Sequence, residues 1–260
     1  MSSKSKIHKN MKQFFLITIA ILMLGISGSS QELTAKQVLV KADNLQRGET
    51  NQGEMSMTII RLKWQRTITM KIWSKARDYS MTYITSPAKD KGQVFLKRKN
   101  EMWNWVPTIS RMIKIPPSMM SQAWMGSDYS NDDILKESSI VVDYTHKIIG
   151  SETIDGIDCF KILLSPKEDA TVVWGKVVKW ISKKEFWQLK TEYYDEDEEL
   201  VRTEKASKVK QFGDRKLPSY LEIIPANKPG QKTVVTIIKS EFNVKLDEGF
   251  FSQQNMKRIR

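Results

Sequence analysis

The sequence predicts an α+β protein that is mostly antiparallel β: an incomplete, half-open β-barrel of about eleven strands, wrapped around an N-terminal helix and a short helical plug. Two observations predict the sheet. Apolar and polar residues alternate over many segments, among them residues 139–149 and 232–242, and short turn-forming stretches separate these segments. Amphipathic strands must bury one face, and curling around a helix achieves this while leaving a groove where the barrel stays open.

The helix is predicted over residues 33–48. Thr34 is the expected N-cap, and Gly48 is the expected end. Apolar residues recur at helical spacing on one face: Val38, Leu39, Ala42 and Leu45. We expect this face to occupy the concave side of the sheet.

Three strands follow, over residues 54–59, 67–72 and 79–83, and each alternates polar and apolar residues. Alternation places every second side chain on the same face of a sheet. We therefore expect the apolar residues of all three strands to line one apolar cavity: Met55, Met57, Ile59, Ile68, Met70, Ile72, Tyr79, Met81 and Tyr83.

Residues 101–135 form a stretch rich in Trp and Met, interrupted by Pro. Alternating residues around 103–105 predict one strand, and residues 111–115 predict a second. Pro116 and Pro117 end this strand pattern. A short helical plug is predicted from Ser118, and a further turn from Asn131 or Asp132. Because Met adapts to irregular apolar surfaces, the stretch is either ordinary core or part of the ligand cavity. The second interpretation adds six cavity residues: Trp103, Trp105, Met119, Met120, Trp124 and Met125.

The first thirty residues are predicted to be a signal peptide, with residues 31–260 forming one domain. Four Lys precede an apolar run at 14–26, and small residues follow at 27–30. The run is shorter than the roughly 20 residues of a spanning helix. A retained membrane anchor is the alternative. No Cys lies at the exit of the run, so we expect an exported, periplasmic protein that is not lipid-anchored.

Basic residues outnumber acidic ones, giving a formal net charge of +12. Without the four leader lysines the excess is still about eight, which favours contact with anionic surfaces, including lipid headgroups or an acidic partner. The sequence contains no motif typical of nucleic-acid binding. We therefore expect no nucleic-acid partner.

Catalytic patterns are weak. Cys159 is the only Cys and lies in an alternating segment, which indicates a buried, inert thiol. His146 is the only His after the leader, and no nucleophile-elbow motif is present. The acidic run at 195–199 is interpreted as a solvated hairpin turn, and Asp128, Asp132 and Asp133 as caps and turn residues. The sequence thus predicts no enzyme, no metal site and no cofactor.

Several motifs resemble one known family. They are Trp-Asn-Trp-Val-Pro at 103–107, Arg111, Lys-Ile at 114–115, Ser-Met-Met at 118–120, Met-Gly-Ser-Asp at 125–128 and Asp-Asp at 132–133. Weaker matches continue at 146–150, 154–159, 180–182, 193–195 and 243–251. From about residue 33 onwards the sequence resembles the outer-membrane lipoprotein-sorting family, a LolA-like group.

The resemblance implies an incomplete barrel covered by helices, with an apolar cavity that holds acyl chains. It implies a soluble, monomeric periplasmic carrier or chaperone for the acyl chains of lipoproteins or for other lipids, acting in transport towards the outer membrane. An inner-membrane exporter and an outer-membrane acceptor are the implied partners. The alternative is a non-catalytic envelope module that partners a membrane exporter without carrying lipid. A hydrolase is the third class.

Overall fold

Thirteen antiparallel strands form a single open sheet in the computed structural model, which describes residues 32–136, 139–168, 170 and 173–260. Residues Thr34–Arg260 form one compact unit. The predicted signal peptide at 1–30 lies outside the described residues.

The strands of the first half are β1 (Thr50–Ile60), β2 (Gln65–Lys75), β3 (Tyr79–Ser86), β4 (Val94–Arg98), β5 (Glu101–Val106) and β6 (Arg111–Lys114). Those of the second half are β7 (Tyr144–Ile154), β8 (Ile157–Pro166), β9 (Lys176–Ser182), β10 (Gln188–Tyr194), β11 (Leu200–Phe212), β12 (Arg215–Pro225) and β13 (Lys232–Phe242). The helices are α1 (Ala35–Arg47), α2 (Asn131–Lys136) and α3 (Gln253–Met256).

The sheet order is β6-β5-β4-β3-β2-β1-β13-β12-β11-β10-β9-β8-β7, so each strand pairs with its sequence neighbour except where β1 joins β13. Strands β6 and β7 are the two edges, which leaves the barrel unclosed and confirms the predicted half-open sheet. The expected count of about eleven strands was low. The short strands β5 and β6 were nevertheless predicted, since strand spacing was expected around 103–105 and a strand at 111–115.

Helix α1 is confirmed within two residues at each end. Thr34 and Gln37 form a capping box, in which the Thr34 backbone N–H donates to Gln37 Oε1 at 2.8 Å and the Gln37 backbone N–H donates to Thr34 Oγ1 at 3.3 Å. At the other end, the Gly48 backbone N–H donates to Asn44 O at 2.9 Å. The helix packs against β7 and β9, so its apolar stripe lies on the concave side of the sheet.

One boundary differs from the prediction. A strand was expected over residues 139–149, but Ser139–Val141 form a short 3-10 helix and β7 begins only at Tyr144. The apolar residues before Tyr144 therefore belong to a turn beside α1 rather than to the sheet. A short apolar run alone does not distinguish these two conformations.

The first half of the sheet buries residues on both faces. On the concave face, Met55 pairs with Met70, and Met70 in turn pairs with Ile84. On the opposite, convex face, Trp73 pairs with Met81 beneath the C-terminal segment. Each face therefore has its own apolar cluster, and the two are separated by the sheet itself.

Candidate ligand cavity

A cavity of about 380 Å³ lies between α1 and the concave face of the sheet. Its size falls within the roughly 300–1,000 Å³ typical of small-molecule sites. Much of the apolar lining comes from α1 and from strands β1, β2, β12 and β13, and includes Leu39, Ala42, Leu45, Met55, Met57, Met70, Ile72, Leu221, Val235 and Ile237. The helix thus forms one wall, and the centre of the sheet forms the floor.

Five of the fifteen predicted cavity residues line this space: Met55, Met57, Met70, Ile72 and Trp124. Three more belong to the same concave-face cluster without being among the lining residues: Ile59, Ile68 and Met125. The predicted apolar residues of β1 and β2 therefore face the concave side of the sheet.

The face assignment was wrong for strand β3. Tyr79, Met81 and Tyr83 lie on the convex face, because they pair with the odd-numbered residues of β2 rather than with Met70 and Ile72. The concave positions of β3 include Ser80 and Thr82, which line the cavity. The prediction assumed that the apolar positions of all three strands share one face of the sheet. Because the more apolar side of β3 is its convex side, this assumption placed Tyr79, Met81 and Tyr83 on the wrong face.

Trp103 and Trp105 are also on the convex face, in the cluster that contains Phe251 and Met256 of the C-terminal segment. Sequence reasoning had no signal for this second cluster, because the segment that covers it lies about 150 residues further along the chain. Met119 and Met120 are half-buried in and after a 3-10 turn at Pro117–Met119, and they are not among the residues that line the cavity.

Trp124 closes one side of the cavity. Its side chain is 6% exposed and lies edge-on to Phe95, with ring centroids 5.3 Å apart. Its backbone N–H donates to Tyr129 O at 2.7 Å, which closes a loop around Gly126 and Asp128. Within the described residues, the indole N–H of Trp124 has no hydrogen-bond partner. We call residues 116–130 the plug, since this segment carries Trp124 against the cavity.

Asp128 attaches the plug to the sheet. Its carboxylate oxygens accept hydrogen bonds from Arg61 Nη1 and Nη2 at 3.0 and 3.1 Å. Thr233 Oγ1 also donates to Asp128 Oδ2 at 2.6 Å. Met125 and Gly126, with φ values of 53° and 79°, turn the chain so that Asp128 reaches Arg61. The Met-Gly-Ser-Asp motif thus fixes the plug to the ends of β1 and β13.

A charged cluster lies at another part of the cavity wall. Arg202 of β11 donates to Asp133 Oδ2 and Oδ1 at 2.7 and 3.2 Å and lies 3.2 Å from Glu204 Oε1. Three aromatic rings surround its guanidinium, those of Tyr129, Trp174 and Tyr193. Burial opposes the charge, but Glu204 and Asp133 outweigh burial and raise the pKa of Arg202.

Sequence reasoning missed this cluster. Arg202 and Glu204 are inward positions on β11, but inward and outward charged residues look alike in an alternating segment. Asp133 was interpreted as a cap, and it does accept hydrogen bonds from Ser130 N and Oγ at 2.8 and 2.9 Å. Its second role, as an ion-pair partner of Arg202, depends on a contact between two residues that are almost 70 positions apart in the sequence.

The residues considered for catalysis do not come together. Cys159 pairs across the ladder with Glu152, and His146 pairs with Leu164, which places them six residues, or about 20 Å, apart along the strands. Burial raises the pKa of the Cys159 thiol, which disfavours the nucleophilic thiolate. The acidic run between β10 and β11 forms a turn, as predicted, in which Asp195 Oδ1 accepts hydrogen bonds from the backbone of Asp197 and Glu199. Among the described residues, no three potential metal ligands cluster together.

The fold matches solved structures over nearly their whole length. A DUF1329 family protein from Desulfovibrio piger aligns with a TM-score of 0.77 and 24% identity, covering 85% of this chain and 97% of that protein. A domain assigned to outer membrane lipoprotein sorting, from Vibrio parahaemolyticus, aligns with a TM-score of 0.76 and 22% identity, covering 86% of this chain and 98% of that domain. A LolA superfamily protein from Nitrosomonas europaea aligns with a TM-score of 0.73 and 22% identity, covering 86% of this chain and all of that protein.

A family model described as an uncharacterized protein family matches residues 76–258, which is well over half of the chain. The chain belongs to this family. Its fold is LolA-like, which confirms the fold expected from the sequence motifs. No curated protein matches the sequence. In the LolA-like fold, the cavity between α1 and the open sheet is the candidate functional site. Over the residues described, no helix combines the length and apolarity needed to cross a membrane.

Proposed function

We propose that this LolA-like protein is a periplasmic carrier that holds acyl chains of lipoproteins or other lipids in the cavity between α1 and the sheet. The observation that carries the proposal is the cavity floor, where Met55, Met57 and Met70 from two adjacent strands face the helix. Unbranched Met side chains conform to flexible ligands. Each buried CH₂ group gains about 0.8 kcal/mol, so an acyl chain has a substantial driving force to enter.

The same proposal includes the export signal and the membrane partners. Residues 1–30 are proposed to direct export and to be removed. An inner-membrane exporter and an outer-membrane acceptor are proposed to load and unload the carrier. The indole N–H of Trp124 supports a cargo with a polar acceptor, such as an ester carbonyl, next to its acyl chain, because a buried unpaired donor costs roughly 1–3 kcal/mol until it is satisfied.

Release requires the cavity to be refilled, and the plug is the proposed element. Trp124 and Tyr129 are plug residues that line the cavity, whereas Met119 and Met120 are not among its lining residues. The plug is anchored at Asp128, so any motion is confined to the part before that anchor. We propose that Trp124 shifts when an acyl chain enters.

The test uses neighbouring residues on one strand. Ile237 lines the cavity, whereas the side chain of Ile238 is 55% exposed. Ile237→Arg should abolish binding of a fluorescent fatty-acid probe, because a charge is costly to bury without a partner. Ile238→Arg is the matched control and should bind the probe like the natural protein. Mass spectrometry of organic extracts from the purified protein then identifies the cargo.

Equal probe binding by the two folded variants would overturn the proposed cavity. An extract that contains no lipid, from a protein that also fails to bind the probe, would favour the envelope-module alternative. Circular dichroism establishes that both variants are folded before they are compared.

A further inference from the structure

The turn between β1 and β2 carries unusually exposed apolar side chains. Leu62 is 75% exposed, the highest value among the large apolar side chains described, and Trp64 is 52% exposed. The turn is closed by a hydrogen bond from the Arg61 backbone N–H to Trp64 O at 2.9 Å. It is therefore an ordered turn that presents a Leu and a Trp to solvent.

Two other turns adjoin it at the same end of the sheet. Leu62 lies directly against Gly230 in the turn between β12 and β13. Arg66, just after the first turn, forms an ion pair with Asp90 in the turn between β3 and β4 at 3.1 Å. We call residues 61–66, 87–92 and 226–231 together the basic rim.

The rim is positively charged. Lys63, Lys89, Lys91 and Lys228 are exposed, and in the part of the chain that the structure describes none of them forms an ion pair. The only acidic residue within these three segments, Asp90, is buried and already pairs with Arg66. Four lysines thus surround two exposed apolar side chains.

This combination matches one kind of surface. Trp is favoured at the membrane–water interface, where its ring contacts acyl chains and its N–H contacts water. Lysines near an anionic bilayer gain electrostatic attraction that is lost within about a Debye length. A protein partner would need an acidic patch placed to match these lysines around an apolar pocket, whereas an anionic bilayer offers both chemistries over its whole surface.

The rim is also connected to the cavity. Arg61, the first residue of the rim, donates to Gly126 O at 3.1 Å and pairs with Asp128 of the plug. Trp124 of the same plug lines the cavity. A surface bound to the rim therefore lies beside the segment that closes the cavity.

We propose that the basic rim docks on the surface of an anionic phospholipid bilayer, with Leu62 and Trp64 inserted at the headgroup level and the lysines on the phosphates. Docking of the rim does not depend on which molecule the cavity holds, because the rim lies on the outer surface of these turns. It places the plug at the membrane, where a carried molecule enters or leaves.

The test is co-flotation of the purified protein with vesicles. Vesicles of phosphatidylglycerol and phosphatidylethanolamine should bind the protein, and vesicles of phosphatidylcholine alone should bind it at least tenfold less. The double substitution Leu62→Ser, Trp64→Ser should lower binding to anionic vesicles at least tenfold. The double substitution Lys63→Gln, Lys228→Gln should lower it about tenfold, and raised salt should do the same.

The matched control replaces apolar residues that are exposed outside the rim. Ile149→Ser with Ile238→Ser should bind vesicles like the natural protein, since these side chains are 44% and 55% exposed on β7 and β13. All rim variants should keep the binding of the fatty-acid probe, which separates this proposal from the proposed cavity.

Two results would overturn the proposal. The first is an equal loss of vesicle binding in the rim and control variants. The second is no binding of the natural protein to any lipid-only vesicle; if it then binds membrane fragments that contain protein, the rim instead recognises a membrane protein.

Discussion

Arg61 and Asp128 form a bidentate ion pair that joins the end of strand β1 to the plug, with N–O distances of 3.0 and 3.1 Å. The Asp128 side chain is only 3% exposed, and Thr233 satisfies one of its oxygens as well. Fork-to-fork pairs of this kind fix orientation as well as distance. The pair therefore holds the plug in one position beside the cavity.

We predict that Asp128→Asn destabilises the protein by about 3 kcal/mol, because breaking a buried ion pair leaves Arg61 uncompensated. Urea unfolding measures the change in the free energy of unfolding. The control is Glu241→Gln, which removes a pair with Lys239 whose side chains are 42% and 64% exposed. The control should change the free energy by less than about 1 kcal/mol. Equal effects of the two substitutions would show that the buried pair is not what fixes the plug.

The movement of Trp124 is testable by fluorine NMR. Protein labelled with 5-fluorotryptophan should show a Trp124 resonance, assigned by its loss in Trp124→Phe, that shifts when an acyl ligand is added. The reason is that Trp124 lines the cavity. Trp180, which is buried in a cluster on β8, β9 and β10, should keep its resonance position. An unchanged Trp124 resonance at saturating ligand would make this residue a fixed part of the core.

The convex cluster should contribute stability without binding ligand. Phe251 is fully buried against Tyr79, with ring centroids 5.6 Å apart. We predict that Phe251→Ala costs about 3–5 kcal/mol of stability. Binding of the fatty-acid probe below the unfolding transition should remain unchanged. Weaker probe binding by the folded variant would connect the convex cluster to the ligand site.

Acid should weaken the attachment of α1 through Asp43. Burial alone would raise the pKa of Asp43, but Arg47 and Arg77 outweigh burial and hold this pKa below its usual value. A depressed carboxyl pKa stabilises the folded state above the unfolded-state value of about 3.9, and this stability is lost as pH falls through the folded-state pKa.

We therefore expect the stability difference between the natural protein and Asp43→Asn to be constant above about pH 5 and to shrink below about pH 4. Urea unfolding at pH 7, 5, 4 and 3 measures it. Asp214→Asn is the control, since that side chain is 78% exposed. A difference that does not change with pH would contradict the assigned role of Asp43.

The proposed signal peptide predicts the start of the exported protein. Intact-mass measurement of protein from a periplasmic fraction should give an N-terminus close to Gln31. Replacing apolar residues of the run at 14–26 with Asp should leave the precursor uncleaved in the cytoplasm. A lipid-modified or uncleaved N-terminus in the periplasmic protein would reject this proposal.

The sequence by itself determined most of the strands and where α1 lies. Local alternation places the segments from β1 to β3, and β13 was predicted at residues 232–242, the bounds the structure shows. The capping box of α1 is equally local, because Thr34 and Gln37 are three residues apart. The open, helix-filled barrel followed from the need to bury one face of each strand.

Only the tertiary structure determined which face of each strand lies towards the cavity. Strand β3 is apolar on the side that its pairing with β2 turns away from the cavity, and the covering segment around Phe251 is remote in sequence. The partners of Arg61 and Arg202 are likewise about 70 residues away. Periodicity reports that a face is buried, but it carries no information on what buries it, because that depends on strand register and on contacts between distant segments.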